Sequence, residues 1–175
     1  VMALGVTDVN LLLLRQLARS RLPGCGGFAG PRGTPTVAGG LVVAVDQWGD
    51  LICVEAATGK EQWRKEFEKD FGGKRPEWGF AESPLVDGNR VIITPGGSEG
   101  AMVALNLKTG ETLWRSKGFT DNAQYSSAMI GVIGGVRQYV QLTMENLVGV
   151  AADDGRVLWQ AKRKGATAVI PDPIT

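Results

Sequence analysis

The sequence predicts an all-β fold: a partial β-propeller of about three four-stranded antiparallel blades, the start of a fourth, and a short N-terminal helix. A Gly-to-Trp stretch recurs three times, as Thr58-Gly59-Lys60-Glu61-Gln62-Trp63, Thr109-Gly110-Glu111-Thr112-Leu113-Trp114 and Asp154-Gly155-Arg156-Val157-Leu158-Trp159. The Trp residues stand 51 and then 45 residues apart, and a period of about 40–50 residues built from short strands marks a propeller or a similar array. Each copy follows a short apolar run: Leu51 to Ala56, Ala101 to Leu107 and Leu147 to Ala152. The 25 glycines fall mostly between such runs, which suits a fold of many tight turns.

Composition narrows the function. A chain of 175 residues, 43% hydrophobic and 21% charged, has enough material for a packed core and does not resemble a disordered one. Nineteen basic against 18 acidic residues leave a net charge of +1, which provides no electrostatic footprint for nucleic acid. Histidine is absent, removing the commonest general base, the Ser/His and Cys/His nucleophile pairs and the commonest zinc ligand. The two cysteines, Cys25 and Cys53, allow at most one disulfide and define no metal-binding spacing. Cys53 sits inside the apolar run Leu51-Ile52-Cys53-Val54 and reads as a buried thiol.

Residues 1–29 read as an extension outside the repeats. Leu11 to Leu14, Leu17 and Ala18, with Arg15, Arg19 and Arg21, give a short basic amphipathic helix, and four leucines in a row are far short of a membrane span. Leu22-Pro23-Gly24-Cys25 is similar to the lipobox of bacterial lipoproteins. Arginines, however, interrupt the apolar core that should precede it, and Pro23 is unusual there. An irregular leader or extension is the expectation, as is a chain cut or processed from a longer one, since it opens on Val1.

From residue 30 to residue 175 the pattern is short strands joined by glycine turns, with blades expected at about 30–68, 79–117 and 124–163 and a further one opening at 171. In the first unit Thr34 to Val37 leads through Gly39-Gly40 into Leu41 to Val45, then Leu51 to Ala56, then the strand that carries Trp63. Ser83 to Val86, Arg90 to Thr94, Ala101 to Leu107 and Glu111 to Arg115 repeat this order, and so do Ser126 to Ile133, Val136 to Thr143, Leu147 to Ala152 and Arg156 to Gln160. Pro173-Ile174-Thr175 resembles the steps Thr34-Pro35-Thr36 and Ser83-Pro84-Leu85. Strands such as Leu41 to Val45 are apolar without alternation, so both faces of each sheet should be covered by neighbours. Gly59, Trp63, Gly110, Trp114, Gly155 and Trp159 are therefore read as structural. Each Trp should lie over the glycine turn of its own or an adjacent blade, with its indole N–H on a carbonyl.

Polar residues just before each inner strand are the candidates for function: Arg32, Glu82 with Ser83, and Tyr125 with Ser126. There they would face the central channel or hydrogen-bond neighbouring blades. The longest loop, Lys69 to Gly79, holds Arg75 and Trp78, which could clamp a planar or anionic ligand at the rim. Trp78 could instead fill the gap between the first two blades. Thr94 to Gly100 is glycine-rich but joins two strands and lacks the Lys and Ser/Thr ending of a phosphate loop, so it reads as a hairpin loop.

Ala56 to Trp63 and Leu105 to Trp114 resemble the Ala-x-Asp-x-x-Thr-Gly-x-x-x-Trp repeat of PQQ-like β-propellers, a superfamily that includes quinoprotein alcohol dehydrogenases and the outer-membrane assembly lipoprotein. The repeat's Asp is replaced by Glu55 in one copy and Asn106 in the next, and Ala151-Ala152-Asp153-Asp154-Gly155 is a further variant. The resemblance covers about residues 30–175 and implies closed rings of seven or eight blades. The remaining blades would then come from a longer chain or from self-association. It also implies a periplasmic or envelope setting in a bacterium. A quinoprotein site would hold PQQ between an adjacent Cys-Cys disulfide and a Trp, beside a Ca²⁺ bound by Glu and Asn and a catalytic Asp. This chain has no adjacent cysteines, and no such set can be matched residue by residue. The expectation is a non-catalytic scaffold that binds a protein partner or small ligand at the channel or rim. The alternative is a segment of a PQQ-dependent dehydrogenase with Arg32, Glu82 and Tyr125 at the channel mouth.

Overall fold

Twelve strands fill three antiparallel sheets in a computed structural model that describes residues 32–165, 168–169 and 171–173. The expected N-terminal helix and Cys25 lie outside the described residues. Blade 1 is β1 (Thr36–Ala38), β2 (Leu41–Val45), β3 (Asp50–Glu55) and β4 (Glu61–Glu66). Blade 2 is β5 (Leu85–Asp87), β6 (Arg90–Ile93), β7 (Val103–Asn106) and β8 (Thr112–Arg115). Blade 3 is β9 (Met129–Ile133), β10 (Val136–Leu142), β11 (Asn146–Ala151) and β12 (Val157–Lys162). Strands pair in sequence order within each sheet, as in three blades of a β-propeller.

The unbroken apolar strands are explained in blade 2, whose middle strands serve two interfaces. Val43, Val45, Leu51 and Cys53 of blade 1 meet Val91, Ile93, Val103 and Leu105 of blade 2 in one cluster. The residues between them turn the other way: Ile92, Met102 and Ala104 meet Tyr139, Val148 and Val150 of blade 3. On the far side of blade 1, Val42, Ala44, Ile52 and Val54 form a third buried cluster. Period-two alternation therefore operates here between two apolar partners and not between core and water.

The three Gly-to-Trp turns share one hydrogen-bond pattern. The N–H groups of Glu55, Asn106 and Ala151 donate to the carbonyls of Lys60, Glu111 and Arg156, and those of Gly59, Gly110 and Gly155 donate back to Glu55, Asn106 and Ala151. Thr58, Thr109 and Asp154 each accept, through a side-chain oxygen, the N–H two residues on. A register shift follows in every blade, between Cys53 and Val54, Ala104 and Leu105, and Gly149 and Val150. Asn106 replaces the usual Asp without loss, since its side-chain oxygen accepts the N–H groups of Lys108 and Thr109.

Trp63 and Trp114 each go to the next blade, not their own. A Cβ on Gly110 would stand 2.7 Å from Cδ2 of Trp63, and one on Gly155 would stand 2.5 Å from Cε3 of Trp114. Both glycines are also left-handed, with φ of 70° and 76°, so the turn and the ring each require glycine. The Trp63 indole N–H donates to the Leu107 carbonyl at 2.9 Å. Trp159 behaves differently. Its ring lies against Gly149 of its own blade, and its N–H donates to Gln138 Oε1, because the positions matching Gly149 in the register, Cys53 and Ala104, carry side chains that block such a fold-back.

One element went unpredicted. Phe67–Phe71 is a short helix that ends on left-handed Gly72 and drives Phe67 and Phe71 into the core. Phe80 joins them, its ring 5.0 Å from that of Phe67, and fills the place beside the first two blades that Trp78 could have taken.

Candidate functional site

The segments that carry the chain from the outer strand of one blade to the inner strand of the next gather on one rim. A hydrogen-bond ladder ties them. Thr34 N–H donates to Ser83 Oγ at 2.9 Å, Ser83 N–H to Ser127 Oγ at 3.0 Å, and Ser127 N–H to Asp172 Oδ1 at 2.5 Å. Ser83 is thus a link between blades. Ser126 is buried, donates to the Leu142 carbonyl at 2.6 Å, and accepts from the Gln141 amide. It ties β9 to β10.

Glu82 is turned into blade 2. Only 3% of its surface is exposed, and both carboxyl oxygens accept the Thr94 N–H, at 2.8 and 2.9 Å. Burial pushes its pKa from 4.5 up to about 8, opposed by the bonds to Thr94, so it stands protonated over much of the neutral range. Asp46, at the end of β2, is likewise raised by burial. Its Oδ1 accepts the N–H groups of Trp48 and Asp50, which sets the β2–β3 turn. Arg32 is exposed, next to Gly33, whose backbone lies against the Glu82 carbonyl.

The other three candidates come together. Trp78 N–H donates to the Tyr125 hydroxyl at 3.3 Å, and the two rings sit 5.7 Å apart at 35°. Trp78 remains 45% exposed, a ledge and not a plug. Arg75 lies 4.6 Å over the Trp48 ring, which holds the guanidinium above blade 1. Between the two loops is an open groove of about 210 Å³, lined by Lys74, Arg75, Glu77, Gln124, Tyr125 and Met144 among others. Tyr125 is pinned from the far side, its N–H donating to the Val169 carbonyl. Sequence reasoning missed Gln124 and Met144: nothing in a hairpin turn such as Thr143-Met144-Glu145-Asn146 signals that it reaches a loop two connections away.

The profile of a family described as outer membrane protein assembly factor BamB matches residues 15–169. The chain belongs to this family. BamB of Shewanella oneidensis is 32% identical to it over 85 residues, 46% of this chain and 21% of that protein. A quinohemoprotein alcohol dehydrogenase of Comamonas testosteroni is 34% identical over 99 residues, 49% of this chain and 14% of that enzyme. The chain thus spans about a fifth and about a seventh of these relatives. The crystal structure of BamB from Moraxella catarrhalis superposes with a TM-score of 0.51 at 16% identity, covering 76% of this chain and 36% of that one; at that identity the likeness is one of fold.

Membership of a BamB-type family with quinoprotein relatives raises the question of PQQ and Ca²⁺. The residues present do not fit that pair. Cys53 is buried in β3, its thiol pushed up to about 11 by burial and pointed at the Leu107 carbonyl, so it offers no sulfur to a planar ring in the channel. Glu82 spends both oxygens on Thr94, and among the described residues no three acidic or sulfur side chains converge on one point. No helix among them is long and apolar enough to cross a membrane.

Proposed function

We propose that this segment is a non-catalytic propeller scaffold of a bacterial cell envelope that presents its rim groove to a protein partner, its remaining blades supplied by a longer chain or by self-association. The observation that carries this reading is that Arg75 and Tyr125 line one open groove on a stack of firmly packed blades, with the Trp78 ring beside that of Tyr125. Binding residues on loops held by a rigid scaffold, with an aromatic ledge beside cations, suit recognition of another molecule. By contrast Glu82, Ser83 and Ser126 are engaged in holding strands together.

A second reading, favoured by the 34% identity to the quinohemoprotein alcohol dehydrogenase, makes the segment part of a PQQ-dependent enzyme with Arg32, Glu82 and Tyr125 at the channel mouth. Full-length protein mixed with PQQ and Ca²⁺ and assayed for alcohol-dependent dye reduction separates the two. The scaffold reading predicts no saturable PQQ binding and no turnover. Saturable binding that disappears in Arg32→Ala or Glu82→Ala would overturn it.

A further inference from the structure

The inner hairpin of blade 3 is longer than its two counterparts. The carbonyls of Gly40, Asn89 and Arg137 accept the N–H groups of Ala56, Leu107 and Ala152, which marks one matching position in the three blades. At that level the first two hairpins already turn, on Gly39-Gly40 and Gly88-Asn89. Strands β9 and β10 run on through Val132 opposite Arg137 and Ile133 opposite Val136, and turn only at Gly134-Gly135. Arg137 reaches back to Asp87 of blade 2. Successive side chains of a strand point to opposite faces, so Met129, Ile133 and Val136 lie on the side away from blade 2, where they are 37%, 47% and 43% exposed.

That side is covered in the other two blades. Ala38 and Leu41 of blade 1 pack against the cluster shared with blade 2, and Leu85 of blade 2 against the cluster shared with blade 3. Trp159 belongs to the same face, paired with Gly149 as Trp63 is with Cys53 and Trp114 with Ala104. Its ring stays at home on two departures from the repeat. Gly149 leaves room for it, since a Cβ there would stand 2.2 Å from Trp159 Nε1. Gln138, in the register place of Leu41 and Arg90, accepts its N–H.

The occupant that fits this face is the one that covers it in blades 1 and 2: a following sheet whose turn glycine receives the Trp ring. The far side of blade 1 in a second copy could not take that place, because Val42, Ala44, Ile52 and Val54 are already 2% exposed or less. We propose that the face seats a further sheet of the same repeat, and that Trp159 leaves Gly149 for the turn glycine of that sheet when it docks. The inference rests on the reading that the remaining blades belong to a longer chain, and it names the residue that changes place. Docking removes the three exposed aliphatic side chains from water, with Met129 in the role that Leu85 plays between blades 2 and 3.

The test puts 5-fluorotryptophan into the full-length protein, assigns the Trp159 fluorine resonance by its loss in Trp159→Phe, and asks whether it senses Gly149→Ala. The resonance and the urea midpoint are both expected to stay where they are, since Ala104 stands in that place beside Trp114. Trp159→Ala should lower the midpoint about as far as Trp63→Ala does. In the 175-residue chain Gly149→Ala should instead shift the resonance and lower the midpoint. A full-length protein in which Gly149→Ala moves the Trp159 resonance keeps the ring on its own blade and overturns the proposal, whether or not the shorter chain folds by itself. A full-length dimer that Ile133→Lys dissociates would give the face to a second copy and overturn it as well. Loss of partner crosslinking at the rim, with Trp159 seated on the following sheet, would remove the scaffold reading and leave the docking face standing.

Discussion

Trp63 lies on Gly110, 47 positions further along the chain, and its indole N–H reaches the Leu107 carbonyl at 2.9 Å. The contact joins blade 1 to blade 2. Trp114 repeats it on Gly155, stacked at 6.1 Å on Tyr139, but its buried N–H has no partner among the described residues. Trp63→Ala should therefore cost about 3–5 kcal/mol, as truncation of a buried Trp does. Trp114→Ala should cost less, because it also removes an unsatisfied donor. Urea unfolding of the two variants gives the order; the reverse order contradicts this account of the interfaces.

The glycine beneath each ring can be tested separately from its backbone. Gly88 and Gly110 are both left-handed, with φ of 61° and 70°, but a Cβ on Gly88 would meet nothing within 4 Å. Gly88→Ala should cost about 1–2 kcal/mol, for the left-handed backbone alone. Gly110→Ala adds overpacking against Trp63 and should exceed it by about 1–3 kcal/mol. Equal midpoints for the two variants would mean that the ring does not need the glycine.

Glu82 makes a prediction about pH. Its folded pKa, about 8, lies above its ordinary 4.5, so the folded protein holds a proton that the unfolded chain releases. Its contribution to stability is full below the ordinary value and declines as pH rises towards 8. Glu82→Gln keeps an acceptor for the Thr94 N–H and carries no charge. The variant should overtake the parent as pH rises from 5 to 9, by an amount on the order of a few kcal/mol. Parallel stability curves over that range would show that Glu82 does not titrate in the fold.

Asp87 behaves in the opposite sense. The Arg137 hydrogen bonds, at 2.6 and 3.1 Å, and the Tyr139 hydroxyl at 2.8 Å hold its carboxyl below the ordinary range and clamp the turn of blade 2 to blade 3. Its contribution is present above the ordinary carboxylate pKa and is lost as pH falls through the lowered one. Asp87→Asn should cost about 1–3 kcal/mol at pH 7 through the weakened bond to Tyr139, and the gap should close in acid. A gap that persists in acid would assign the effect to packing.

The repeats told much of the fold. Three Trp residues at near-even spacing and apolar runs without alternation required sheets covered on both faces, and the strands lie where those runs are. Which blade each Trp would cover was not legible, because a turn glycine of the same blade and of the next carry the same sequence. Trp159 shows how local this is: one glycine on β11, Gly149, lets the ring fold onto its own strand. Of the candidate site, Arg75, Trp78 and Tyr125 were visible as exposed chemistry on loops, but their meeting depends on two connections 47 residues apart. Glu82 looked like a channel charge since a carboxylate before an inner strand normally seeks water. Its burial follows from the Thr94 N–H at the end of the neighbouring strand, a contact no local pattern encodes.

Trp78 and Leu113 are both 45% exposed, one against Tyr125 at the edge of the rim groove and the other on the outer strand of blade 2, and comparing them tests whether a partner docks at the rim. A photoreactive phenylalanine analogue placed at either position in full-length protein, irradiated in living cells, reads out what each surface touches. Position 78 should yield a discrete adduct with a protein partner, lost in Lys74→Glu, and position 113 should not. An absence of any discrete adduct at 78, or the same adducts from both positions, would contradict the assignment of the rim groove as the site of function.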